Sequence, residues 1–166
     1  MDCLVPGAPP HYTPYLIVNN VAGLDPGAYV VHATDGSLEL LHPAETRVPA
    51  SELACGQDYV DQTHVNVYAM TDLEPVLAHF GNRGYRVAQL EAALFGARVQ
   101  LAAHALGLGA VGSTSYDDEV TGYFSPHASG KSFMFVAVFG NRRRPSAEEI
   151  AAKSTFLQAD KPRAAR

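Results

Sequence analysis

The sequence ALGLGAVGSTSYDD, at residues 105–118, joins a long helical pattern to a run of small residues. Before it, apolar residues recur at helical intervals over residues 85–106 and occupy most faces, which predicts a long, central, buried helix. Gly107-Leu108-Gly109 predicts the end of that helix, and residues 110–116 are expected to be extended. The acidic run at residues 117–119 favours the start of a short helix through Phe124, because carboxylates stabilise helix N-termini.

On either side of this stretch, the sequence alternates between strand and helix patterns. Short apolar runs bounded by turn signals predict strands at residues 15–19, 28–32, 38–41, 65–70 and, most clearly, 132–140. The pattern of residues 49–59 is ambiguous and allows a short helix capped by Ser51. Further helices are predicted over residues 71–80, from Thr71-Asp72 to a close at Gly81-Asn82, and from residue 145 onward. This order of elements indicates an α+β or mixed α/β domain in which one helix crosses a sheet.

Four segments together resemble one known family. They are YLIVNNVAGLDPGAY at 15–29, GYRVAQLEA at 84–92, the 105–118 stretch, and YFSPHASGKS at 123–132. In this order they resemble the FMN-dependent nitroreductase family, most closely its branch related to peptide azoline dehydrogenases, over about residues 5–144. The resemblance implies an α+β fold with a mixed sheet flanked by helices and a long central helix. It also implies a homodimer with FMN at the subunit interface.

The resemblance further implies which residues contact the cofactor. Gly112, Ser113, Thr114 and Ser115 match the segment that lies against the flavin ring, with backbone groups of Thr114 and Ser115 bonding N5 and O4. Arg143 and Arg144, beside Arg142, match the place of a basic residue that reaches the FMN phosphate. No side chain is assigned a catalytic role, because flavin N5 carries the chemistry between NADH or NADPH and a small organic acceptor. The alternatives are an ordinary strand end for the first segment and a solvated charge run for the arginines.

The chain departs from the family pattern in two ways. The helices with an arginine-rich motif that normally begin the fold have no counterpart, so we expect a fold truncated at its N-terminus. The catalytic Lys-Tyr pair of azoline dehydrogenases is absent, since the only lysines are Lys131, Lys153 and Lys161, which argues against dehydrogenation of peptide heterocycles. Three hypotheses follow: a partner chain supplies the missing helices, the flavin site is reduced, or the protein is a cofactor-less partner subunit or ligand-binding protein.

The composition of the chain restricts its domain count, its partners and its localisation. The 166 residues, 47% of them hydrophobic, fit one domain over 1–166, with an N-terminal loop at 1–14 and a C-terminal helix and tail at 145–166. The net charge of -5 and the absence of a basic stripe argue against a nucleic-acid partner, and no run is long enough to predict a membrane span. The seven histidines show no metal-site spacing, and the two isolated cysteines, Cys3 and Cys55, favour a reducing cytoplasm.

Overall fold

The computed structural model describes residues 9–142 and residue 146. The described strands are β1 (Tyr12–Val18), β2 (Gly27–Val31), β3 (Leu38–Pro43), β4 (Val65–Thr71), β5 (Gly109–Ser113) and β6 (Ser132–Gly140). The described helices are α1 (Arg47–Leu53), α2 (Leu73–Phe80), α3 (Gly84–Ala105) and α4 (Asp117–Tyr123), with 3-10 turns at Asp58–Val60 and Gly81–Arg83. The predicted α+β class is therefore confirmed, while the helix expected from residue 145 onward lies outside the described residues.

The six strands form one sheet in the order β3-β2-β1-β4-β6-β5. All five neighbouring pairs are antiparallel, so within the described residues the sheet contains no parallel pair of the kind that a mixed sheet would have. β4 and β5 run in the same direction but are not neighbours, because β6 lies between them and pairs antiparallel with both. Among the described strands, β3 and β5 therefore lie at the two edges of the sheet.

Helices cover both faces of the sheet. On one face, α2 and α3 pack through Val76, Ala88 and Ala92 against Tyr12 and Met134. The other face is packed by α1, α4 and the 3-10 turn around a larger cluster, which contains Tyr15, Ile17, Leu53, Val60, Tyr68, Val120, Phe124, Phe133 and Val136. We call these the α3 face and the α4 face.

Helix α3 has the predicted length, but the prediction that it is buried on most sides is wrong for the single chain. Its buried positions are mainly small residues, including Ala88, Ala92 and Gly96. Its leucines point away from the sheet: Leu90 is 52%, Leu94 is 40% and Leu101 is 68% exposed. Small residues let the helix approach the sheet closely, and the three leucines lie on the outer side, while Phe95 packs against Tyr12. We call Leu90, Leu94 and Leu101 the leucine row.

Two local predictions about the first half of the chain need correction. The N-terminal loop does not extend to residue 14, because β1 begins at Tyr12 and contains Pro14. Proline is tolerated there because β2 pairs with β1 only from Tyr15 onward, so one side of Pro14 has no described strand that needs its N–H. Ser51 does not cap α1, which begins at Arg47 with Thr46 in the capping position; the Thr46 hydroxyl instead donates to the carbonyl of Val18.

The caps predicted for the middle of the chain are confirmed. The Asp72 side chain accepts a hydrogen bond from the backbone N–H of Glu74 and so starts α2, which Gly81 ends with a φ of 58°. Gly107, with a φ of 77°, follows α3 and turns the chain into β5. These two glycines set the positions of α3 and, through it, of the edge strand β5.

Candidate flavin site at the edge strand

The predicted ring-binding segment begins on β5, which lies at one edge of the described sheet. Gly112 and Ser113 belong to β5, whose described strand neighbour is β6 alone. The carbonyl of Phe139 accepts a hydrogen bond from the backbone N–H of His64, so the main-chain groups of Phe139 face β4. Because pairing alternates along an antiparallel ladder, the main-chain groups of Gly112 point away from β6, toward the open edge.

Gly112 also has a packing reason to be small. A Cβ at Gly112 would lie 2.7 Å from Cζ of Phe135, and a Cβ at Gly96 of α3 would collide with the same ring. Phe135 is thus held between the helix and the edge strand. The small residue is therefore required on the α3 face, whether or not a ligand lies along the edge.

The next three residues leave the strand in different environments. Ser113 Oγ lies 3.3 Å from Oε1 of Gln57 and 3.4 Å from the hydroxyl of Tyr59, which donates to the same Gln57 oxygen at 2.6 Å. Thr114 is exposed, whereas Ser115 is buried and its Oγ has no hydrogen-bond partner among the described residues. Thr114 is therefore accessible to a polar ligand, whereas Ser115 Oγ is a buried polar atom whose lack of a partner calls for an explanation.

A cleft of about 300 Å³ opens beside the β5–β6 pair. Its walls include Tyr59, Thr63, Val111, Asn141 and Arg142. Arg142 lies opposite the start of β5, with its Cα 3.5 Å from the position of a Cβ on Gly109. Arg142 and the 112–115 segment therefore lie at opposite ends of one five-residue strand, a span of about 16 Å.

Arg143 and Arg144, the two arginines predicted to bind phosphate, lie outside the described residues. The sequence did not identify Gln57 and Tyr59, which fall in the stretch 49–59 whose pattern was ambiguous. No sequence pattern distinguishes Tyr59. It stands out only in the structure, where this large aromatic residue is 44% exposed beside the cleft. Within the described residues, no three His, Cys, Asp or Glu side chains are grouped as a metal site would require.

Burial perturbs one acid next to the candidate site. The pKa of Asp117, at the start of α4, is raised mainly by desolvation and further by the neighbouring Asp118 carboxylate. The carboxylate is two residues beyond Ser115. The helix dipole favours a carboxylate at the start of a helix, so Asp117 has a structural role in α4 whether or not it contributes to the site.

Solved structures share this arrangement of strands and helices. One described as a nitroreductase from Anabaena variabilis ATCC 29413 superposes with a TM-score of 0.75 at 25% identity, over 80% of this chain and 27% of that chain. This chain has the nitroreductase fold. The match supports a relationship to the nitroreductase family, which the sequence motifs predicted.

Two further structures show the same nitroreductase fold. A chain of the E. coli microcin synthetase McbBCD complex, solved with truncated pro-MccB17 bound, matches with a TM-score of 0.68 at 18% identity, over 81% of this chain and 53% of that chain. One described as a nitroreductase from Ralstonia eutropha JMP134 gives a TM-score of 0.65 at 15% identity, over 81% and 60%. This chain therefore spans between 27% and 60% of the length of the three structures. Neither a family model nor a curated protein matches it.

No helix within the described residues has both the length and the apolar character needed to cross a membrane.

Proposed function

We propose that this protein is an FMN-dependent oxidoreductase of nitroreductase type, which passes a hydride through flavin N5 to a small organic acceptor. The observation that carries the proposal is the placement of Gly112 and Arg142 at the two ends of the open β5 edge. FMN has a planar ring at one end and a phosphate at the other, so an edge with free main-chain groups at one end and a cation at the other suits it. When bound, FMN would supply the redox chemistry.

The chain's own residues divide the binding task. Main-chain groups of Gly112, Thr114 and Ser115 would bond the polar rim of the ring, and Arg142 to Arg144 would hold the phosphate. The Oγ of Ser115 is a buried side-chain atom in this segment that has no hydrogen-bond partner among the described residues. The residues present therefore fit the cofactor that the fold family implies.

The polar wall beside the strand would position the acceptor. Tyr59 presents a half-exposed ring to the cleft, and its hydroxyl is oriented by Gln57 at 2.6 Å. We propose that the nicotinamide donor, NADH or NADPH, and the acceptor use this cleft in turn. Tyr59 would pack against their rings, because aromatic side chains combine large contact area with a polar tip.

The leucine row supplies a reason to expect a homodimer. Leu90, Leu94 and Leu101 are spaced by four and seven residues and therefore lie along one side of α3. Their exposure leaves an apolar stripe that association would bury. We propose that a second copy covers this stripe; a different chain that supplies further helices of the fold is the alternative partner.

The decisive experiment is titration of the purified protein with FMN, followed by its visible spectrum and melting temperature. We expect a yellow, saturable complex with a raised Tm, because a ligand that binds only the folded state stabilises it. A protein that stays colourless and shows no Tm shift at saturating FMN would rule out the flavin proposal.

Variants of Arg143 and Arg144 test whether the FMN phosphate binds at the Arg142 end of β5. Arg143→Ala and Arg144→Ala should each weaken FMN binding by about 1–3 kcal/mol, the scale of a lost charged hydrogen bond. Arg83→Ala is the matched control, because Arg83 lies at the start of the 22-residue helix α3 and β5 follows the end of that helix. The length of α3, ~33 Å, therefore separates Arg83 from the start of β5. Equal affinities in all three variants would remove the arginines from the site.

One observation favours a second candidate function. Packing against Phe135 explains Gly112 without any ligand, so the small residue is equally compatible with a cofactor-less relative. We propose as the alternative a nitroreductase-like partner subunit or ligand-binding protein. Stoichiometric FMN in the native mass spectrum of the purified protein would exclude it.

A further inference from the structure

The second edge of the sheet, β3, has an unpaired row of main-chain groups among the described residues. The backbone N–H of His32 donates to the carbonyl of Ser37 at 2.9 Å, and Val30 pairs with Glu39 two residues further along. Alternation along the antiparallel ladder therefore turns the N–H and C=O groups of Leu38 and Leu40 outward. No described strand pairs with these groups, so another extended chain could bond them.

Two of the features with which proteins block an edge, lysine and proline, are absent from most of this strand, and its one register shift lies beyond Leu40, opposite Ala28 and Tyr29. Residues 38–42 contain no lysine and no proline, and Pro43 comes only at the end of the strand. Leu38 is 42% and Leu40 is 43% exposed. An edge with outward hydrogen-bonding groups and exposed leucines favours pairing with an additional strand.

A cleft of about 360 Å³ adjoins this edge on the α4 face. Glu39 and His42 line it from the strand, and Phe124, Pro126 and His127 line it from the loop after α4. Both walls are fixed by hydrogen bonds: His42 Nε2 lies 3.0 Å from the carbonyl of Tyr123, and His127 Nδ1 lies 2.8 Å from the hydroxyl of Tyr15. The space is large enough for one side chain of a strand laid along β3.

The charge around the edge is negative. The β2–β3 hairpin, residues 27–43, contains Asp35 and Glu39 and neither lysine nor arginine, and the Glu39 carboxylate lies 2.9 Å from Nε2 of His32. Hydrogen bonds from the backbone and the hydroxyl of Ser37 lower the pKa of Asp35, which is therefore ionised at neutral pH. A partner that complements this edge carries positive charge.

We propose that the outer edge of β3 is a docking site for an extended, lysine- or arginine-bearing peptide segment, which pairs with Leu38 and Leu40 and places one apolar side chain in the adjoining cleft. The main chain supplies affinity, the cleft selects the side chain, and the carboxylates select the charge. The site lies at the opposite edge from β5 and does not depend on flavin binding.

The probe for this proposal is a labelled peptide, acetyl-Lys-Val-Thr-Leu-Thr-Val-Lys-amide, titrated into the full chain by fluorescence anisotropy. We expect saturable binding that weakens about tenfold when both lysines become glutamates. N-methylation of alternate peptide amides should abolish binding, because it removes the groups that bond Leu38 and Leu40. Hydrogen exchange should slow in residues 38–42 and stay unchanged in β5.

A matched pair of variants separates the main chain from the side chain. Leu40→Pro removes an outward N–H and is tolerated at an edge position, whereas Leu40→Ala shortens the side chain and keeps that N–H. We expect about a tenfold loss of peptide affinity in Leu40→Pro and less than about a threefold loss in Leu40→Ala, given the energy of one hydrogen bond. If Leu40→Pro does not fold, hydrogen exchange in residues 38–42 of the unmodified protein, measured with and without the peptide, tests the proposal instead.

Three results would overturn the proposal. The first is no saturation with any peptide, and the second is binding of the N-methylated peptide as tight as that of the parent. The third is a dimer in sedimentation velocity that Leu40→Pro dissociates, since this would assign the edge to a second copy of the chain. None of these results bears on FMN, so failure here is distinguishable from failure of the flavin site.

Discussion

The two faces of the sheet solve the packing problem with different kinds of residue. On the α3 face, Ala88, Ala92 and Gly96 bring the helix so close that the ring of Phe135 fills the space between Gly96 and Gly112. On the α4 face, large aromatic residues do the filling, and Tyr15, Tyr68 and Phe124 are all essentially inaccessible to solvent.

This difference means that the faces are sensitive to different changes. The α3 face is limited by space, because an added methyl group has nowhere to go. The α4 face is limited by solvation, because it buries hydroxyl groups that water would otherwise bond. The comparison therefore predicts that steric substitutions damage the first face and that polarity and pH affect the second.

Gly96→Ala should give the largest effect. The new Cβ would lie well inside van der Waals contact of the Phe135 ring, which cannot move away because Gly112 is packed against its other side. We expect a loss of about 3 kcal/mol in the free energy of unfolding, measured by urea denaturation.

Gly122→Ala is the matched control for this loss. Gly122 lies in α4, and nothing is within 4 Å of the position of its Cβ, so alanine should be neutral or stabilising by about 0.5–1 kcal/mol from helix propensity. If both variants unfold at the same urea concentration, the space around Phe135 is not limiting and the contrast between the faces is lost.

Alkaline pH should act on the α4 face. Burial raises the pKa of Tyr15 from 10.0 to about 12, so the folded state keeps this phenol neutral where the unfolded chain ionises it. The stability that results is complete below pH 10.0 and is lost as the pH rises toward about 12. We expect Tyr15 to account for about 2 kcal/mol of this loss.

The measurement is urea denaturation of the wild type and of Tyr15→Phe at about pH 9 and about pH 12. The variant should lose less stability over that interval, because it has no phenol to ionise at this position. Identical pH profiles would show that Tyr15 does not control the alkaline response.

Much of the fold could be predicted because it depends on local signals. Asp72 and Gly81 bound α2, Gly107 ends α3, and an unbroken apolar run marks β6 at Ser132–Gly140. Burial of α3 could not be predicted, because its apolar residues cover most faces and the sequence does not show which face meets the sheet. Tertiary packing places the small residues of α3 against the sheet, and this contact is not encoded in the local pattern.

The candidate site could be predicted only in part, for a related reason. The family resemblance selected residues 112–115, which are adjacent in sequence, and their contact with the cofactor stays a prediction. Tyr59 and Gln57 reach Ser113 from more than 50 positions away, through contacts that no spacing pattern encodes. The double packing on Phe135 likewise joins Gly96 and Gly112 from two separate elements.

The smallest effect is expected from Tyr68→Phe, and it isolates the role of hydroxyl solvation on the α4 face. Tyr68 is fully buried, burial raises its pKa, and its hydroxyl has no hydrogen-bond partner among the described residues. Removing that hydroxyl should change the free energy of unfolding by less than about 1 kcal/mol, or increase it, since no hydrogen bond is lost.

Tyr15→Phe at neutral pH is the comparison for this variant. Tyr15 is equally buried, but its hydroxyl bonds His127 Nδ1 at 2.8 Å, so we expect a loss of about 1–2 kcal/mol. The two variants delete the same atom from the same face and differ in whether that atom has a partner. If Tyr68→Phe is the more damaging of the two, the Tyr68 hydroxyl bonds a group outside the described residues, and the α4 face is less tolerant than its packing indicates.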